Sequence, residues 1–152
     1  MALTTFGAIM AFAVDMVTQT GEHYKTLARH ATKAALKENL EELAREEIKS
    51  RARIEETRRL NVTEMMLEPV TGLHEEGYEM AMEISDPPAD TDVLRLAVAL
   101  EEREKRFFQD ASARVPLPEV ARFFRKIVSK KEGNLSRLAS IGADRGREGV
   151  SS

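Results

Sequence analysis

The sequence predicts an all-α protein, a four-helix bundle made of two helical hairpins with a helical connector between them. Apolar residues recur every three to four positions along four long stretches, which is the pattern of amphipathic helices. Charged residues make up 32% of the 152 residues, which suits long solvated outer faces. All five prolines fall between those stretches or at their ends. Together these features predict four long helices separated by well-marked breaks.

The first hairpin and the connector account for the first half of the chain. The first helix is predicted from about Thr4 to His30, and the second from about Lys33 to Leu60. Glutamate and arginine pairs four residues apart support the outer face of the second helix. The connector is predicted as a shorter helix over about 62–85, opening at NVTEMM with Asn61 or Thr63 as its cap.

The second hairpin follows the break SDPPADTD at 85–92. Its helices are predicted from about Asp92 to Ala113 and from Pro118 to about Ile141. The pair Gly133–Asn134 resembles a helix stop. However, Leu135 and Leu138 continue the apolar phase, so we expect the helix to run through it. We assign residues 1–142 to the bundle and the polar, glycine-rich residues 143–152 to a disordered tail.

The two hairpins resemble each other at an offset of 84 residues. Tyr24 then falls on Phe108, and Leu40 on Phe124, without a gap. Two explanations stay open, an internal duplication and the chance agreement of two long amphipathic hairpins. Either one gives a pseudo-symmetric bundle.

Composition limits the classes of function. A net charge of −3 with scattered basic residues gives no basic patch for nucleic acid. The apolar run at the N-terminus is about ten residues long and Asp15 interrupts it, so it is too short to span a bilayer. We therefore expect no membrane contact and a cytoplasmic protein. The chain has no cysteine, which excludes disulfides and thiolate ligands.

Four segments of the chain carry a resemblance to a known family. They are FAVDMVTQTGEHYKTLARHA, LEELAREEIKSRARI, LAVALEEREKRFFQDA and FFRKIVSKKEGNLSRL. In this order, with the connector and the repeat, the chain resembles the ferritin-like superfamily, and its rubrerythrin-like branch in particular. The resemblance implies an up-down ferritin-like bundle. It also implies a di-iron site built from one glutamate, seven residues before an aromatic, and one Glu-x-x-His in each hairpin.

The six positions that correspond to those ligands are Val17, Glu47, Ser50, Glu101, Lys131 and Asn134. Only Glu47 and Glu101 keep a ligand of the family. Val17 cannot coordinate a metal, and a charged lysine has no lone pair to offer. The resemblance therefore implies the fold with a degenerate di-iron site. We expect no catalytic residue and no cofactor, with iron held by Glu47 and Glu101 as the alternative.

Helical phase indicates where these side chains point. Glu47 and Glu101 share the apolar stripes of their helices, whereas we expect Glu46, Glu102 and Glu104 to be solvated. A buried carboxylate needs a partner or a proton. We expect Lys131 to supply the charge that a metal would have supplied, with Ser50 and Asn134 hydrogen-bonded to the same network. Arg51, water or a proton would balance the remaining charge, and the alternative is a Lys131 that extends to solvent.

The remaining candidates are the histidines and the methionines. His23, His30 and His74 are not spaced as metal ligands, and we expect them to be structural or exposed. An unusual site that combines Glu47, Glu101 and a connector histidine stays an alternative, with GLHEEGYE (72–79) as its segment. Flexible methionines suit adaptable contact surfaces. The connector methionines therefore indicate a homodimer interface, or else only a cover for one flank of the bundle; they are Met65, Met66, Met80 and Met82.

The function that follows from these residues is a non-enzymatic structural or protein-interaction role for a rubrerythrin-like bundle without its di-iron centre. A residual metal-binding oxidoreductase of the rubrerythrin type is the alternative. A helical adaptor for another protein is a third class, and the sequence names no such partner.

Overall fold

The computed structural model of the chain describes residues 1–61, 70–84 and 88–151, with side chains described through 143. These residues form four α-helices: α1 (Phe6–His30), α2 (Ala34–Leu60), α3 (Asp90–Arg114) and α4 (Pro118–Ser151). In the described part of the chain, α1 packs along α2 and α3 packs along α4. The predicted all-α bundle of two hairpins is therefore confirmed.

The first hairpin has defined ends. The Thr5 hydroxyl accepts a hydrogen bond from the Ala8 N–H and caps the start of α1. The loop after α1 is fixed by Asp90 at the start of α3. The Asp90 carboxylate accepts hydrogen bonds of 2.8–3.1 Å from the backbone of Thr32 and Lys33 and from the Thr32 hydroxyl. Asp90 thus connects the two hairpins.

Two apolar clusters form the core, one toward each end of the bundle. The first contains Phe6, Met10 and Val17 with the aromatic rings of Phe107, Phe108 and Phe124. The second contains Tyr24, Leu27, Leu40, Leu100 and Leu138. Adjacent rings of the first cluster meet at centroid distances of 5.2 and 5.3 Å, within the range of favourable aromatic contacts.

The connector differs from the prediction. The prediction of a helix over about 62–85 is wrong for residues 70–84, where the structure has only a 3₁₀ helix, Glu75–Tyr78. The preceding residues bond to the N-terminal segment instead, with Leu3 N–H donating to Leu73 C=O and Val70 N–H donating to Thr4 C=O, both at 2.8 Å. Gly72 has a φ of 86°, which no helix accommodates. Residues 62–69, with the suggested cap Thr63, lie outside the described residues.

The last helix is longer than predicted. It runs through Gly133 and Asn134, as the apolar phase of Leu135 and Leu138 indicated. Its backbone then continues past Ile141 to Ser151, across residues that we had assigned to a disordered tail. Extending an existing helix adds one hydrogen bond for each residue fixed, so the glycines there weaken the helix without ending it.

Candidate functional site

A layer of buried polar residues separates the two apolar clusters, and all four helices contribute to it. On α1 Thr20 lies between Val17 and Tyr24, and on α2 Glu47 lies between Ala44 and Ile54. On the second hairpin the layer consists of Glu101, Arg103 and Glu104 from α3 and Lys131 and Asn134 from α4. Polar groups at this depth must be partnered within the protein.

Lys131 lies at the centre of the layer with only 2% of its side chain exposed. Its ammonium donates hydrogen bonds to Glu47 Oε1 and, at 3.0 Å, to Glu101 Oε1. The same nitrogen lies 2.7 Å from Glu104 Oε2. The inward orientation of Lys131 is therefore found, and the alternative in which it extends to solvent is wrong.

Glu104 is the residue that sequence reasoning missed. We expected it to be solvated, yet its side chain is 0% exposed. The signal was present, because Glu104 follows Glu101 by three residues and precedes Phe108 by four, which places it on the same helical face. Glu102 is exposed as expected, whereas Glu46 is half-buried and accepts a hydrogen bond of 3.0 Å from Asn134 Nδ2.

Glu101 is fully engaged in hydrogen bonds. Besides Lys131, the Tyr24 hydroxyl donates to Glu101 Oε1 at 2.5 Å, and Asn134 Nδ2 donates to Glu101 Oε2 at 3.0 Å. Glu104 contrasts with it, since its one ion pair among the described residues, of 2.7 Å, is with Lys131. Glu47 Oε2 lacks a donor among the described residues.

The other predicted site residues lie outside this network. Val17 is buried in the first apolar cluster. Ser50 is half-buried and makes no hydrogen bond to the carboxylates in the described part of the chain, so its predicted role in the network is wrong; it lines a cavity of about 150 Å³ between α2 and α4. Arg51 is exposed and pairs with Glu55 at 3.3 Å.

The histidines also stay outside the layer. His30 and His74 are exposed, and His23 is half-buried. Burial, and then the nearby Arg103 charge, lower the pKa of His23. Among the described residues, no histidine therefore belongs to the carboxylate cluster, and a site that combines Glu47 and Glu101 with His74 does not form.

Burial and mutual repulsion control the ionisation of the cluster. Desolvation, followed by the neighbouring Glu104 charge, raises the pKa of Glu47 well above its usual value. Desolvation also raises the pKa of Glu101, against the opposing effect of Lys131. Desolvation alone would lower the pKa of Lys131, but the three carboxylates outweigh it and raise that pKa well above its usual value. The layer therefore holds a charged ammonium, and the carboxyl groups of Glu47 and Glu101 retain protons to unusually high pH.

The donor set can be tested for its fit to metal ions. One oxygen each from Glu47, Glu101 and Glu104 lies within 4.8 Å of the others, and carboxylates are good ligands for hard cations. The Lys131 ammonium, however, contacts all three carboxylates, so it already occupies the position between them and repels a second cation. Among the described residues the cluster also contains no imidazole. Glu47, Glu101, Glu104 and Lys131 therefore do not fit a di-metal centre.

The chain has no significant match among protein-family models, curated proteins or solved structures. Within the described residues no helix combines the length and the apolar character needed to cross a membrane. A function for this chain must therefore be inferred from its own residues, and above all from the polar layer.

Proposed function

We propose that this chain is a non-enzymatic ferritin-like bundle of the rubrerythrin-like kind, with a structural or protein-interaction role. In this proposal an internal ammonium replaces the metal ions of such a bundle. The observation that supports it most directly is the position of Lys131 Nζ, in contact with carboxylates from both hairpins.

Charge balance supports this role for Lys131. A metal centre would stabilise several buried carboxylates by its positive charge, and a bundle that loses its metal must supply another cation or lose the acids. Here Lys131 supplies the cation and joins α2, α3 and α4 through Glu47, Glu101 and Glu104. The register of the two hairpins also fits, because Lys131 and Glu47 are 84 residues apart and occupy equivalent positions.

The burial of the layer argues against a catalytic role. Lys131, Glu47, Glu101 and Glu104 each expose 2% of their side chains or less. A general acid or base must reach a substrate or a bound water. Lys131 and Glu47 line cavities of only about 150 and 70 Å³, and the Lys131 ammonium contacts the acids.

The interaction role that we favour is homodimerisation through the connector. Met80 and Met82 are half-buried and pack against the second apolar cluster, which leaves part of each side chain exposed. Met65 and Met66 lie outside the described residues. Light scattering of the purified chain measures its mass directly, and Met80→Glu should convert a dimer of this kind to a monomer, while Leu60→Glu, at a residue that is 72% exposed, should not.

The metal content of the purified protein tests the main proposal. Protein from cells grown with ample iron should contain far less than one metal ion per chain, and its melting temperature should not change with a chelator. Its spectrum should lack the near-ultraviolet absorption of an oxo-bridged di-ferric centre. About two metal ions per chain, or a melting temperature that falls on chelation, would refute the proposal.

The second candidate, a residual metal-binding oxidoreductase, is favoured by one observation, the third buried carboxylate of Glu104. Iron(II) or manganese(II) would then have to displace the Lys131 ammonium. A thermal shift of the unmodified chain on addition of either ion, absent in Glu104→Gln but present in the exposed control Glu102→Gln, would support this candidate over the first.

A further inference from the structure

A groove of about 700 Å³ lies between α1, the connector and α3. Neither Lys131 nor the carboxylates that contact it line this groove. Its apolar wall is formed by Phe12 and Met16 from α1 and by Tyr78 and Met80 from the connector. This volume and this lining are typical of sites for small organic molecules, which combine an apolar wall with a few polar groups.

Arg103 supplies the polar group of the groove. This residue is only 9% exposed, and burial lowers the pKa of its guanidinium, which nevertheless stays charged. One amino group donates a hydrogen bond of 2.9 Å to the Thr20 hydroxyl. Its Nε is buried and has no hydrogen-bond acceptor among the described residues.

Arg103 also lacks a direct counter-ion. In the part of the chain that the structure describes, no carboxylate oxygen lies within 4.0 Å of its guanidinium, and the nearby Glu104 contacts Lys131 instead. A buried cation with an unused donor is costly unless an anion or an acceptor joins it. An arginine with free donors also presents a planar fork that matches a carboxylate.

The rim of the groove limits the kind of anion. Asp15, Glu75 and Glu79 line it together with Arg103, so the net charge around the groove is negative. A multiply charged anion such as phosphate would be repelled at this rim. A single carboxylate on an apolar body is repelled less, because it carries one charge and places it at the Arg103 end of the groove.

We propose that this groove binds a small monocarboxylic acid, with its carboxylate on Arg103 and its apolar body against Phe12, Met16, Tyr78 and Met80. This site does not use Glu47, Glu101 or Lys131, so it is independent of the role proposed for Lys131, and it shares only Met80 with the proposed dimer contact. It would make the chain a binding protein for an apolar organic acid in addition to any role in protein assembly.

Isothermal calorimetry with three probes tests the site. Phenylacetate should bind the full chain with a measurable heat, phenylethyl alcohol should bind at least ten times more weakly, and inorganic phosphate should not compete. Arg103→Gln should weaken phenylacetate binding at least tenfold. Arg95→Gln is the matched control, because it makes the same change at an exposed arginine of α3 and should leave the affinity unchanged.

Several results would overturn the proposal: no binding of phenylacetate at millimolar concentration, equal affinity for the alcohol, or full affinity in Arg103→Gln. If Arg103→Gln does not fold, Ala81→Trp replaces it, because the indole would fill the groove without altering Arg103. A folded Ala81→Trp protein that binds phenylacetate like the unmodified chain would also refute the site.

A spectroscopic readout separates this role from a purely structural one. His23 is half-buried, and the Arg103 charge contributes to its lowered pKa. An anion on Arg103 cancels that charge, so the pKa of His23 should rise when phenylacetate binds and should not change with the alcohol. Proton resonances of the His23 ring, followed against pH, measure the shift, and an unchanged pKa at saturating phenylacetate would contradict the proposed position of the carboxylate.

Discussion

The ammonium of Lys131 on α4 donates a 3.0 Å hydrogen bond to the carboxylate of Glu101 on α3, and both side chains are almost fully buried. This pair joins the two helices of the second hairpin at the level where the apolar core is interrupted. An interior ion pair of this kind contributes little net stability when complete, yet its loss is costly when only one partner is removed.

Lys131→Met should strongly destabilise the protein at neutral pH. The methionine fits the volume but leaves the cluster without a cation, so any ionised carboxyl group there must take up a proton or stay charged and unpaired. We expect a loss of about 3–5 kcal/mol in the free energy of unfolding. Urea denaturation measures it. The adjacent Lys130→Met is the control, since Lys130 is 56% exposed and should contribute within about 0.5 kcal/mol. A Lys131→Met protein as stable as the Lys130→Met protein would contradict the proposed role.

The stability of the protein should fall as the pH rises above 4.5, the ordinary pKa of the glutamate side chain. The pKa values of Glu47 and Glu101 are raised in the folded state, so their stabilising contribution is complete below the unfolded value of 4.5 and is lost as the pH rises through the folded values. Each proton retained only by the folded state adds a slope of about 1.4 kcal/mol per pH unit. The raised pKa of Lys131 preserves its contribution up to about 10.5, so it does not oppose this trend.

Denaturation at a series of pH values measures that slope, and two variants locate its source. Desolvation is the main cause of the raised pKa of Glu47, and Glu104→Gln removes the second cause, the neighbouring charge, so it should flatten the slope. Glu102→Gln, at an exposed position of the same helix, should leave the slope unchanged. Stability that rises over this range in the unmodified chain would mean that the carboxyl groups are ionised in the folded state.

Tyr24→Phe should destabilise the fold by about 1.5–3 kcal/mol, the usual contribution of a buried hydrogen bond to a charged group. The Tyr24 hydroxyl lowers the pKa of Glu101, so that pKa should also rise in the variant. The carbon resonance of the Glu101 carboxyl group, recorded as a function of pH, measures this pKa. Tyr78→Phe, which loses a hydrogen bond to Asp110 nearer the surface, should leave Glu101 unaffected; the same shift in both variants would rule out a direct effect.

Two glycine substitutions should act in opposite directions. Gly133→Ala lies inside α4, and an added methyl group there meets no atom within 4 Å, so the variant should gain about 1 kcal/mol. Gly72→Ala should lose at least as much, since its φ is +86° and the methyl would lie 2.6 Å from the Arg114 guanidinium. Thermal denaturation compares the two variants, and a Gly133→Ala protein less stable than the unmodified chain would mean that α4 is interrupted there.

Sequence periodicity predicted much of the candidate site but not its contacts. Glu47, Glu101 and Asn134 are buried because their places in the helical repeat put them on the inner face. Glu104 also lies on the inner face by this rule. Because Glu102, Arg103 and Lys105 are charged as well, we interpreted this part of α3 as a solvated segment. Arg103 shows what periodicity leaves open, since the guanidinium ends far from the backbone and its partner, Thr20, lies on another helix.

The sequence by itself determined the four long helices, their breaks and the inward face of each, because these depend on residues three or four positions apart. The tertiary structure alone decided where the ammonium of Lys131 lies, since a long flexible side chain follows the charges of Glu47, Glu101 and Glu104 on two other helices. It also decided the conformation of the connector. Residues 70–74 form no helix because Val70 and Leu73 make backbone hydrogen bonds to Thr4 and Leu3, a pairing between distant segments that no local pattern encodes.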